Sequence, residues 1–159
     1  MQHKQEIPIL IAEIKDELSK LDMLVDKISS QKGRTDNVEV VESAALRLHN
    51  FYTGCERIFS LIASEVNGGA PHEADWHKRL LNQIALGIDD IRPAVISKQT
   101  KTDLEELLRF RHIVRNIYGF ELSADRVAHL IDHTIGFYPR LAQELNTFID
   151  FLATLFKEI

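Results

Sequence analysis

The apolar positions of this chain fall at helical intervals almost from end to end. Ile7, Ile11, Ile14, Leu18, Leu21, Val25 and Ile28 are separated by alternating steps of four and three. That spacing lines them along one face of a single helix. The stripe breaks in the polar run that follows, with Gly33 placed as a stop. Asp36, with Glu39 three positions on, reads as a capping box for a second helix. Its apolar face carries Val41, Ala45, Leu48, Tyr52, Cys55, Phe59, Ile62 and Val66. Asn67-Gly68-Gly69 and Pro71 end it.

A shorter helix is expected from about His72 to Leu86, closed by Gly87. Pro93 keeps the next segment from continuing as helix. Thr102 and Glu105 form a second capping-box pattern, opening a helix that runs to Tyr118 and stops at Gly119. Ser123 is placed to cap a last helix whose stripe runs from Val127 to Leu155 and contains Pro139, where a kink is expected. No stretch alternates with period two for long enough to be a strand. The prediction is all-α: an antiparallel bundle of four long helices and one short one, forming a single domain over residues 1–159.

Composition narrows this picture. Seven Gly and four Pro in 159 residues disfavour a turn-rich fold. The single Cys excludes an internal disulfide framework and a cysteine-based zinc site. No apolar run is long enough to span a bilayer, and the N-terminal stretch lacks the features of a signal peptide, so the cytoplasm is the expected compartment. A net charge of −5 argues against general polyanion binding but leaves room for a local basic site. The aromatic residues of the last helix, Phe137, Tyr138, Phe148, Phe151 and Phe156, read first as core filling, with a helix-mediated dimer as the alternative.

Against this acidic background, Leu107–Phe120 carries Arg109, Arg111, His112 and Arg115 and no carboxylate. On a helix, Arg111, Arg115 and Tyr118 share one face, and His112 and Asn116 share the neighbouring one. Such a set suits phosphodiester chemistry. A guanidinium grips phosphate oxygens through its planar fork, and an imidazole moves protons near neutral pH. RNA supplies its own nucleophile, the 2′-hydroxyl, so no metal and no cofactor are expected. The plainer reading is a basic last turn that complements the helix dipole. Arg111 argues for more, because it borders the apolar face and a partly buried Arg needs a specific partner.

Other candidates are weaker. His72 and His77 are five apart, which defeats a helical zinc motif. Cys55 lies on the apolar stripe and reads as a small buried hydrophobe. His129 and His133 are one turn apart and read as surface histidines. Tyr52, Glu56, Trp76 and His77 are candidates for lining a cleft.

The stretch from Arg111 to Tyr118 resembles the Arg-polar-x-x-x-His-x-Tyr motif of HEPN domains. Within that superfamily it is most similar to the HepT-like ribonuclease toxins. The likeness extends to Phe51–Phe59 and to Asp75–Leu81, and covers roughly residues 40–150. The resemblance implies a helical bundle that dimerises and brings two motif copies into a shared cleft. It implies a metal-independent endoribonuclease that leaves a cyclic phosphate, paired with a minimal nucleotidyltransferase antitoxin. Carried over by position, Arg111 binds the phosphate, His112 stands at the variable polar position, and Tyr118 is the residue that receives AMP. The family's catalytic His position is Asn116 here, and an amide does not exchange protons near neutral pH. His112, one turn earlier on the same face, is the titrating substitute. Two functional readings stay open: an RNA-cleaving toxin using Arg111, His112, Arg115 and Asn116, or a non-catalytic HEPN-fold module that binds the nucleotidyltransferase.

Overall fold

The apolar stripes close on one another as four long antiparallel-patterned helices with a short one inserted. The computed structural model describes residues 2–72, 74–116 and 122–158. Among them are five helices and no strand: α1 (Gln2–Ser29), α2 (Val38–Val66), α3 (Trp76–Ile84), α4 (Lys98–Asn116) and α5 (Ala124–Glu158). The expected all-α architecture is the one observed. Helix α1 packs on α2 and α5, and α2 also packs on α3, α4 and α5, so α2 is the centre of the bundle. No described helix is long and apolar enough to cross a membrane.

The stripe read from the sequence is the buried one. Leu10, Ile14, Leu21 and Ile28 of α1 meet Leu48, Phe51, Cys55, Ile58 and Ile62 of α2 in one core. Phe51 sits edge-on between Phe137 and Tyr138 of α5, with ring centroids 6.1 and 5.8 Å away. Burial of such rings contributes on the order of 2 kcal/mol each, and edge-to-face geometry adds to that. Phe148 is buried too, while Phe151 and Phe156 are half-buried, so the aromatics of α5 are spent largely on this core. Pro139 lies inside α5, which continues on both sides of it as one element.

Helix ends differ from the expected ones where a side chain from elsewhere takes over the capping. At α2 the cap is Asn37 and not Asp36, because the Asn37 side chain accepts the Glu39 backbone N–H at 2.9 Å. Helix α4 starts four residues before Thr102. Ser97 Oγ accepts the Thr100 N–H at 3.2 Å, and Glu144 of α5 accepts from Ser97 N–H at 3.2 Å and from the Thr100 hydroxyl at 2.5 Å. Thr102 is an interior residue whose hydroxyl donates to Lys98 O. Helix α3 is only nine residues long. Its C-terminal carbonyls are claimed by the connector that follows: Val95 N–H donates to Ile84 O, and the Arg92 guanidinium donates to Gln83 O and, just past the helix, to Leu86 O. Ser123 caps α5 as expected, accepting from Arg126 N–H.

Candidate functional site

Helix α2 presents a polar edge beside its buried stripe, and this edge forms the floor of a cleft. Thr53, Glu56, Ser60 and Ser64 recur at steps of three and four, with Arg57 next to Glu56, so they share one side of the helix. The turn at Asn67-Gly68-Gly69 then reverses the chain. Gly68 and Gly69 take φ of 85° and 151°, values that favour glycine. The chain returns as α3, whose first two residues, Trp76 and His77, stand over Glu56. Helix α4 crosses the same side of α2 and brings in Arg111. The resulting cleft of about 510 Å³ is lined by Glu56, Trp76, His77, Arg111 and their polar neighbours on α2, with Glu17 of α1 at its edge. Arg57 and Glu17 form an ion pair there at 3.5 Å.

At the centre is a chain of three charged or titratable groups. Glu56 is 5% exposed, and its Oε2 lies 2.6 Å from His77 Nδ1. His77 Nε2 lies 3.4 Å from Arg111 Nη1. A carboxylate accepts and a guanidinium only donates, so the neutral ring carries its proton on Nδ1 and turns its Nε2 lone pair to Arg111. The Trp76 ring stacks on the imidazole, with centroids 3.7 Å apart and an interplanar angle of 30°. A buried carboxylate needs such a charge-assisted bond to offset the loss of water. Arg111 is half-buried, and its Nε is a buried donor with no hydrogen-bond partner among the described residues.

The residues singled out in the sequence separate into groups. Arg111, Glu56, Trp76 and His77 come together in the cleft. His112 and Arg115 are exposed on α4. Asn116 is the last residue of α4, and its side chain lies outside the described part, as does all of Tyr118. Tyr52 is fully buried below the cleft, its hydroxyl without a partner among the described residues. Burial, and next the Glu56 carboxylate, push its phenol well above the ordinary range. Burial likewise pushes the Cys55 thiol up, as befits a core residue. His129 is exposed, but His133 is largely covered. Both Nε2 atoms lie near Glu106 Oε2, at 3.4 and 3.3 Å, and the His133 ring N–H meets Asp103 O at 2.9 Å. These two histidines tie α5 to α4, so His133 is not the surface residue that its spacing suggested.

One half-buried histidine outside the cleft lining feels the charge of Arg111 and is not among the residues the sequence marks. His49 is on α2 and half-buried. Burial lowers its pKa, a hydrogen bond with Asn50 and the Glu56 charge oppose this, and the positive charges of Arg111 and Arg115 add to the lowering. It lies seven residues before Glu56, two helical turns along the same side, which is the signal that would have found it.

A family model described as HepT-like protein matches residues 43–152. No curated protein and no solved structure matches the chain. The match spans most of α2 through most of α5, and so contains Glu56, His77 and Arg111. On that match, together with the helical bundle, the chain belongs to the HepT-like family of the HEPN superfamily.

Proposed function

We propose that this protein is the toxin half of a toxin–antitoxin pair, a metal-independent endoribonuclease that cuts RNA by attack of the substrate's own 2′-hydroxyl. The observation that carries the reading is Arg111, half-buried in a polar cleft with an uncommitted Nε donor. An arginine in that state is prepared for a planar, doubly accepting anion, and a phosphodiester is one. Arg111 holds the scissile phosphate and offsets charge as it builds on phosphorus. Arg115, one turn on, adds positive charge, and His112, exposed beside them, supplies a proton to the leaving 5′-oxygen. Asn116 and Tyr118 position the strand. Membership of the family supports a homodimer that shares the motif face, a minimal nucleotidyltransferase as partner, AMP transfer to Tyr118 as control, and action in the cytoplasm.

The test is incubation of the purified protein with labelled tRNA and mRNA in EDTA, beside Arg111→Ala and His112→Ala. Cleavage that survives EDTA and disappears in the folded variants is the expected result. The absence of cleavage by folded, dimeric protein would sink the reading. Asn116 favours one alternative, a non-catalytic module that holds the nucleotidyltransferase. A large gain of cleavage in Asn116→His would identify the natural protein as that impaired form.

A further inference from the structure

Cleavage by a 2′-hydroxyl needs a base for that hydroxyl as well as an acid for the leaving oxygen. The motif helix offers one imidazole and, at position 116, an amide. The cleft offers another imidazole from outside that helix. We propose that His77 is the base of this site and that Glu56 is its positioning residue. This inference rests on the RNA-cleavage reading.

Three observations carry it. The Glu56 carboxylate, 5% exposed, accepts the Nδ1 proton at 2.6 Å and so fixes which ring nitrogen is free. The free nitrogen, Nε2, points to the cleft side and to Arg111 Nη1 at 3.4 Å. The contact is long and the guanidinium keeps an unused donor, so a phosphate bound at Arg111 would draw the guanidinium toward itself and uncover Nε2. Finally, the Trp76 ring stacked at 3.7 Å holds the imidazole plane and covers one of its faces. A histidine serving only to tie α3 to α2 needs the Glu56 bond alone. The guanidinium at Nε2 and the open cleft in front of it have no part in such a tie.

The step balances as follows. The 2′-hydroxyl proton passes to His77 Nε2 while the 2′-oxygen bonds to phosphorus. The phosphorus–O5′ bond breaks, and the 5′-oxygen takes a proton from the His112 imidazolium. The imidazolium formed at His77 is stabilised by Glu56, and water returns both rings to their starting states. The products are a 2′,3′-cyclic phosphate and a 5′-hydroxyl. The charged groups facing His77 are Glu56 and Arg57 of α2, Glu17 of α1 and Arg111 of α4. Glu17 and Arg57 are paired with each other, which leaves Glu56 and Arg111 to act on the ring.

The experiment measures single-turnover RNA cleavage against pH for the wild type, His77→Ala, Glu56→Gln and Arg111→Ala, each checked for helical content and dimer formation. His77→Ala should lose about 100-fold or more in rate, with partial recovery on adding imidazole, since general-base catalysis contributes that much. Glu56→Gln should lose less and should displace the acid limb of the pH profile, which a purely structural role would leave in place. Wild-type cleavage together with a folded His77→Ala that cuts within about threefold of it would overturn the inference and leave the nuclease reading standing. If the folded, dimeric wild type cuts nothing, the nuclease reading fails and the inference falls with it.

Discussion

Gly54 of α2 faces Leu21 of α1 so closely that a β-carbon built on it would lie 2.7 Å from Leu21 Cδ2. The Leu21 side chain fills the space that a side chain at position 54 would need. Gly54 is a buried helix-interior glycine, a position that costs helix stability and is repaid here by close approach. Gly54→Ala should therefore destabilise the protein by about 1–3 kcal/mol, the usual cost of overpacking, despite alanine's better helix propensity. Urea unfolding reads this directly. Leu21→Ala removes the colliding methyl, so the double variant should be less destabilised than the two single changes added together. Strict additivity would mean that the contact is not the cause.

Arg92 holds the connector between α3 and α4 without any acidic partner among the described residues. It is 4% exposed and donates to Asn67 Oδ1 at 2.8 Å, to Leu86 O at 2.8 Å, to Pro93 O at 3.0 Å and to Gln83 O at 3.0 Å. Lysine has neither the fork nor the reach to serve these acceptors together. Arg92→Lys should cost about 2 kcal/mol or more through carbonyls left unpaired, and amide hydrogen exchange should rise first across residues 84–97. Because α3 carries Trp76 and His77, loss of this tie should also loosen the cleft. Uniform protection in the variant would refute the assignment.

The helical stripes were legible because one face of each helix is buried and apolar substitution there is costly, so Ile14, Leu48, Phe59 and Leu141 mark their helices without ambiguity. The helix ends were less legible. The caps of α4 and α3 depend on Glu144 and Arg92, which reach them from distant positions or by an unusual inward turn of the side chain. The candidate site divided in the same way. Arg111 declared itself by standing in a basic run at the edge of an apolar face. The sequence marks Glu56, Trp76 and His77 only as cleft lining. Their pairing could not be read, because nothing in the spacing of α2 and α3 says that the Gly68-Gly69 turn lays Nδ1 of His77 on the Glu56 carboxylate. His49 was hidden by having no motif of its own.

Acid should weaken this fold through two histidines. Burial lowers the pKa of His49 below its ordinary 6.5, with a hydrogen bond to Asn50 opposing and Arg111 and Arg115 reinforcing the effect. Burial also lowers that of His133, with Glu106 opposing and His129 adding to the effect. In both cases the unfolded chain binds a proton more readily than the folded one. Between the ordinary value and the lowered one, stability therefore falls as pH falls. The urea midpoint should drop on going from about pH 7.5 to about pH 5.5, and His49→Gln should flatten part of that drop. A midpoint that rises in acid, or an unaltered slope in the variant, would show that the histidines are not the source.

Arg111→Lys separates charge from geometry at the cleft. Lysine keeps the positive charge that attracts a polyanion, so RNA binding at low salt should change little. It loses the planar fork, and with it both the directed contact to His77 Nε2 and the paired donors for two phosphate oxygens. Cleavage should then fall by about 100-fold, the scale on which a single preorganised donor to a charge-building oxygen acts. Arg111 is half-buried and makes no ion pair with a carboxylate among the described residues, so the thermal midpoint should hold to within a few degrees. A lysine variant that cuts at the wild-type rate would reduce Arg111 to a point charge and move the phosphate-binding role to Arg115. One that unfolds would make Arg111 a structural residue of the α2–α4 interface.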